Sequence, residues 1–147
     1  AAFDDLRHEV LGRERDAGQL ATEILSMRRK MHDGHPNRSE LFDLKHDAGG
    51  MVDIEFIVQY LVLAHSSAHP SLSENKGNIE LLRRAASVGL IDEKAAIAIG
   101  DAYRLYRKLQ HGLRLNGHEY ARIDPARVAT QVAQVCELWG TLLGRAS

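Results

Sequence analysis

Residues 51–64, "MVDIEFIVQYLVLA", limit the fold more than any other stretch. The run is apolar nearly all round, and its length predicts a helix rather than a strand. A helix without a polar face is stable in water only when other elements surround it. The rest of the chain must therefore supply amphipathic cover.

Helical spacing outside this run supplies it. Phe3, Leu6 and Val10 predict a first helix, with Asp4 and Asp5 in the favourable first turn. Leu20, Ile24, Met27 and Met31 predict the inner face of a second, with Arg28, Arg29 and Lys30 on the outer face. "DGHPN", residues 33–37, ends it. After the apolar run, Ile79, Leu82 and Ala86 mark a short helix that Gly89 stops, with Leu90 as its hydrophobic follower. Asp92 is read as the cap of a long helix that runs to Leu115 and ends at Asn116-Gly117. Asp124 and Pro125 open the last helix, with Ile123 and Val128 at the hydrophobic-staple positions. Val128, Val132, Val135, Leu138 and Leu142 then face inward. The expected fold is one all-α domain over residues 1–147. It is a bundle of five to six helices with one long ordered loop, roughly residues 33–50, before the central helix.

Charge and cysteine content narrow the function. A net charge of −1 gives no nucleic-acid footprint. The single cysteine, Cys136, excludes an internal disulfide or a cysteine-cluster zinc site, and it reads as packing on the core side of the last helix. No run of 18 apolar residues is present, so no membrane span is expected, and the cytoplasm is the expected compartment. The chain does not begin with Met, which leads us to expect a fragment of a longer polypeptide.

The chemistry-bearing stretch is residues 42–56, "FDLKHDAGGMVDIEF". Acids at i and i+2, here Asp53 and Glu55, share a metal when they lie on a strand, because both then face one way. On a helix they stand roughly 200° apart. The alternative is a glycine-bent helix start, where the amides of residues 50–53 would be open donors for an anion, with Lys45 in reach as a point charge. The plainer alternative is a turn at Gly49-Gly50, a helix-dipole acid at Asp53 and a solvated Lys45. Glu55 and Gln59 lie one turn apart on the apolar helix, so Glu55 is expected to be buried and to need a partner, either an arginine of a neighbouring helix in a structural ion pair or a catalytic-site arginine that it orients. Arg104, Arg107, His111 and Arg114 form a basic stripe, either a solvated face or a wall for phosphate or an acidic partner, while Ile99, Tyr103, Tyr106 and Leu113 face the core. The histidines suggest no metal site; His65 and His69 are four apart but run into Pro70.

"FDLKHDAGGMVDIEFIVQYLVL" resembles the K-x-x-x-G-G-[IM]-x-[DE]-I-E-F-x-x-Q motif of the glutamine synthetase adenylyltransferase family, with a looser version in the helical domain of PII uridylyltransferases. The resemblance extends through "LATEILSMRRKM", "NIELLRRAASVGLID" and "AYRLYRKLQHGLRL", about residues 3–143. It implies the helical domain of a bifunctional enzyme, more like the C-terminal, adenylylating unit. That unit transfers AMP from ATP to a tyrosine of glutamine synthetase. The resemblance implies an upstream nucleotidyltransferase domain of the same polypeptide, which would bind most of the Mg2+ and ATP through an Asp-x-Asp pair. "GGMVDIE" does not supply that pair, so the isolated chain is expected to be inactive. By the same resemblance, Lys45, Gly49, Gly50, Asp53 and Glu55 line the cleft shared with that domain. Glutamine synthetase and a PII signalling protein are the implied partners. A docking module for either one, without catalysis, is the alternative. Gln110 stands where the resemblance leads one to expect a glutamate.

Overall fold

A computed structural model describes residues 17–74 and 76–144. The expected helix through Phe3, Leu6 and Val10 lies outside them. Five α-helices are described: α1 (Ala17–Gly34), α2 (Met51–His65), α3 (Asn78–Ser87), α4 (Glu93–Leu115) and α5 (Ala129–Leu143). The all-α bundle is therefore as expected. α2 packs against all four other helices. Ten of its side chains are buried, from Met51 to Val62, and only Glu55 and Gln59 between them reach solvent. The lack of a polar face on this segment is thus accounted for by its central position.

The face of α1 turns away from the expected stripe. Leu20, Ile24 and Arg28 are its buried residues, while Met27 and Met31 are 41% and 36% exposed. The i, i+4, i+8 row faces inward, and Arg28 completes it because an acid of α2 waits there. On α3 the buried residues are Leu81, Leu82 and Ala85, with Ile79 and Ala86 at the margin. Gly89, at φ +83°, ends this helix as expected: its amide donates to Ala86 O and that of Leu90 to Ala85 O. α4 ends at Leu115 with Asn116 as its cap. Asp92 holds the N-cap position of α4, but its side chain caps no amide.

The last helix starts later than the sequence suggests. Asp124 accepts from the Ala126 amide and Pro125 follows it, yet they open a 3₁₀ turn, Pro125–Arg127. Val128 breaks the path at φ −129° before α5 begins. Both staple residues are buried, Ile123 and, completely, Val128. Driving Val128 into the core explains the break.

The loop before α2 contains an element without a readable period. Phe42–Asp43 (β1) pairs antiparallel with Arg122–Ile123 (β2), Phe42 opposite Ile123. Asn37 and Asp47 brace it: Asn37 Nδ2 donates to Leu41 O and to Asp47 Oδ2, which also accepts the Asp43 amide. Asp43 Oδ1 in turn accepts the amides of Lys45 and His46.

Candidate functional site

The diglycine is a packing device first. Gly49 has φ +89°, a conformation side chains rarely adopt. A Cβ there would stand 2.8 Å from Val132 Cγ1 and 3.2 Å from Cys136 Sγ. At Gly50 a Cβ would meet Leu44 O at 2.7 Å and Asp47 O at 2.9 Å. The chain thus passes beneath α5 at a point where only backbone fits.

Asp53 secures that passage. Its carboxylate accepts Arg28 Nε at 2.9 Å and Nη2 at 2.7 Å, and the Gly49 amide at 2.8 Å. The Arg28 guanidinium lies 4.0 Å from the centre of the Trp139 ring, and Tyr106 donates its hydroxyl to Gly49 O at 2.9 Å. Burial, with smaller contributions from Cys136 and Asp53, pushes the Tyr106 phenol well above its ordinary range, so it serves as a neutral donor. Four helices and the loop meet at this one frame.

One sequence expectation is corrected here, and one of the two open readings of the diglycine loses most of its donors. The acid that takes a neighbouring helix's arginine is Asp53, not Glu55; Asp53 is 1% exposed and Glu55 lies at the surface. The two-residue separation on a helix does send them apart, as the 100° step requires. Three of the four amides of residues 50–53 are taken within the chain: Gly50 N donates to Asp47 O, Met51 N to Leu44 O and Val52 N to Lys45 O. The loop itself uses these three donors, so they do not form an anion nest.

Of the five residues assigned by resemblance to a shared cleft, Gly49, Gly50 and Asp53 are buried, and Lys45 and Glu55 are exposed. Lys45 makes no ion pair among the described residues. Glu55 accepts from the Tyr103 hydroxyl at 3.3 Å, and Asn78 Nδ2 donates to that hydroxyl at 3.2 Å. Burial first, then the Glu55 charge, raises the Tyr103 phenol above its usual value. Arg107 sits over the same ring at 5.9 Å. Glu55, Tyr103, Asn78 and Arg107 are thereby brought together where α2, α3 and α4 meet.

The rest of the basic stripe is exposed: Arg104, His111 and Arg114 face solvent, and Arg104 pairs with Asp101 at 3.1 Å. Ile99, Tyr103 and Tyr106 are buried as expected, and Leu113 is half-buried. Cys136 is exposed rather than in the core, although its sulfur lies against Gly49 and desolvation raises its thiol pKa. Among the described residues no three His, Cys, Asp or Glu side chains converge as a metal requires, and no helix is long and apolar enough to cross a membrane. Sequence reasoning missed Arg28, Trp139 and Asn78. Only Arg28 left a signal, its i+4 phase with Leu20 and Ile24.

Comparison with known proteins gives a consistent family. Residues 20–140 match the family model described as GlnD PII-uridylyltransferase. A bifunctional glutamine synthetase adenylyltransferase/adenylyl-removing enzyme of Burkholderia mallei is 55% identical over 98% of this chain. Enzymes of the same name from Bordetella bronchiseptica and Aromatoleum aromaticum are 54% and 51% identical over 97% and 99% of it. The chain spans only 15–16% of the length of these relatives.

Proposed function

The chain belongs to the GlnD PII-uridylyltransferase family, and from that premise we propose that it is the helical part of a unit transferring AMP from ATP to a tyrosine of glutamine synthetase. The unit would thereby regulate nitrogen assimilation. The observation that carries this reading is how the shared motif is used. Gly49, Gly50 and Asp53 are consumed by the frame, which leaves Lys45 and Glu55 as the motif's two solvent-facing charges. A rigid frame that presents two charges suits a wall of a cleft whose reacting groups lie on another domain.

Asp53 is already held by Arg28 and the Gly49 amide, and Glu55 points away from it, so these acids do not fit a magnesium site. Magnesium and ATP are accordingly assigned to an upstream nucleotidyltransferase domain, and this chain alone to no catalysis. The cytoplasm is the compartment such chemistry implies. Lys45 in this reading contacts nucleotide phosphate or the target protein as a point charge.

In the longer polypeptide, Lys45→Ala should slow AMP transfer about tenfold, on the scale of one lost charge-assisted contact. Its thermal unfolding should be unchanged. Transfer kinetics equal to the parent's would remove Lys45 from the cleft.

The solvent-facing stripe of Arg107, His111 and Arg114 favours a second reading, a surface that docks glutamine synthetase or a PII protein. The same kinetic experiment separates the two. A docking surface raises KM when the stripe is reversed in charge, whereas a cleft residue lowers kcat.

A further inference from the structure

Three histidines gather at the C-terminal end of α1, and the proposed function uses none of them. The rings of His35 and His46 lie face to face, 3.9 Å between centroids and 5° from parallel. His32, one turn before His35, has a buried Nε2 with no hydrogen-bond partner. The stack joins the end of α1 to the loop that carries Lys45. Parallel rings direct their nitrogens along parallel lines rather than to one point, so the arrangement is not a ligand set, in accord with the absence of a converging metal cluster among the described residues.

Two imidazolium charges held at this distance repel each other, whereas the neutral pair carries no such cost. Around His46 stand His32 of α1, His35 just past its end, Lys45 beside it, and one acid, Asp43, whose Oδ1 is 3.8 Å from Nδ1. Arg122 of β2 adds a further cation: it contacts Asp43 Oδ2 and Pro36 O, each at 3.4 Å. Asp43 is already engaged by two loop amides and this guanidinium, so it offers a new imidazolium little. Burial first, and then His35, hold the His46 pKa below its usual value despite Asp43. The sign follows. A histidine depressed in the folded state is an unfolded-state proton sink, so the clasp is strongest above the ordinary pKa of 6.5 and weakens as pH falls from there toward the lowered value.

We propose that the His35–His46 stack is a proton-sensitive clasp that orders the loop of residues 36–47 at neutral pH and releases it in mild acid. This goes beyond the adenylyl-transfer reading and does not depend on it.

Hydrogen exchange on the chain tests it through the amides of Leu44 and Asp47, which donate to Ala121 O and Asp43 O. After correction for intrinsic rates, their protection should fall several-fold between pH 7.5 and 5.5, the direction a histidine depressed in the folded state requires. Amides of residues 99–106, in the middle of α4, should not change. In the His35→Phe, His46→Phe double variant the loop should lose its pH response while keeping a stack. Should that variant not fold, NMR titration of His46 in the unmodified chain decides, with a pKa below 6.5 expected. Loop protection that ignores pH, an equal pH response in the double variant, or a His46 pKa at or above 6.5 would overturn the clasp.

Discussion

Two guanidinium–carboxylate clusters in this molecule have similar geometry and opposite surroundings. Arg28 meets Asp53 at 2.7 Å with side chains 9% and 1% exposed. Arg83 meets Glu80 at 2.6 Å, and Arg84 bridges Glu80 and Glu74, but the Arg83 side chain is 67% exposed. Distance alone would rank the second cluster first. Solvent reverses the ranking, because water already solvates the surface charges and salt screens what remains. Inside, each partner removed strands the other without water. The same chemistry thus fixes the bundle at one place and decorates a helix at the other.

The largest expected effect comes from breaking the buried pair. Asp53→Ala strands Arg28 beneath α5 and leaves the Gly49 amide without an acceptor. It should cost about 3–5 kcal/mol for the pair and ~1 kcal/mol more for the amide, read as a fall in the urea midpoint. Replacing both partners with apolar residues, Arg28→Met and Asp53→Leu, should recover most of that loss. A double variant as unstable as the single one would mean that the charges themselves hold the frame.

Gly49→Ala tests the same region without touching a charge. The left-handed backbone costs roughly 1–2 kcal/mol and the overlap with Val132 ~1–3 kcal/mol, so about 3 kcal/mol is expected in the same assay. A near-neutral result would show that α5 can shift outward and that the dry region is less rigid than its contacts imply.

The smallest effect is expected at the surface cluster. Its arginines, Arg83 first, hold the Glu80 carboxyl down at about 2. A depressed acid stabilises above its ordinary value of 4.5, and that contribution fades as pH falls from 4.5 toward 2. At neutral pH and moderate salt, Glu80→Gln should leave the urea midpoint within error, with a small decrease only at low salt. A large, salt-independent loss would erase the contrast with Asp53.

The sequence disclosed the fold further than the site. The central helix was legible because an all-round apolar run has only one stable placement. Gly89 and Asn116-Gly117 were legible because helix stops are local chemistry. The inward turn of Arg28 was not. Met27 and Met31 are the more apolar residues, and it is Asp53, 25 positions away, together with the Trp139 ring, that makes the arginine the better buried partner. For the same reason Asp53 and Glu55 could not be told apart. On a segment whose other residues are apolar, the rotation that buries one acid is set by neighbours and not by its own pattern. The ladder of Phe42–Asp43 with Arg122–Ile123 is too short to carry any period.

That ladder closes a circuit. Asp43 and Arg122 lie 79 positions apart, and between them run α2, α3 and α4. Phe42 and Ile123 are both buried beside the pairing, so the closure belongs to the core rather than to a surface fringe. A boundary drawn anywhere within that span would open the ring and divide the Gly49 frame, which draws on α1, α2, α4 and α5. The five described helices therefore share one set of closing contacts. A piece shorter than residues 28 to 139 loses either Arg28 or the ring of Trp139 on which it rests, and with it one side of the frame.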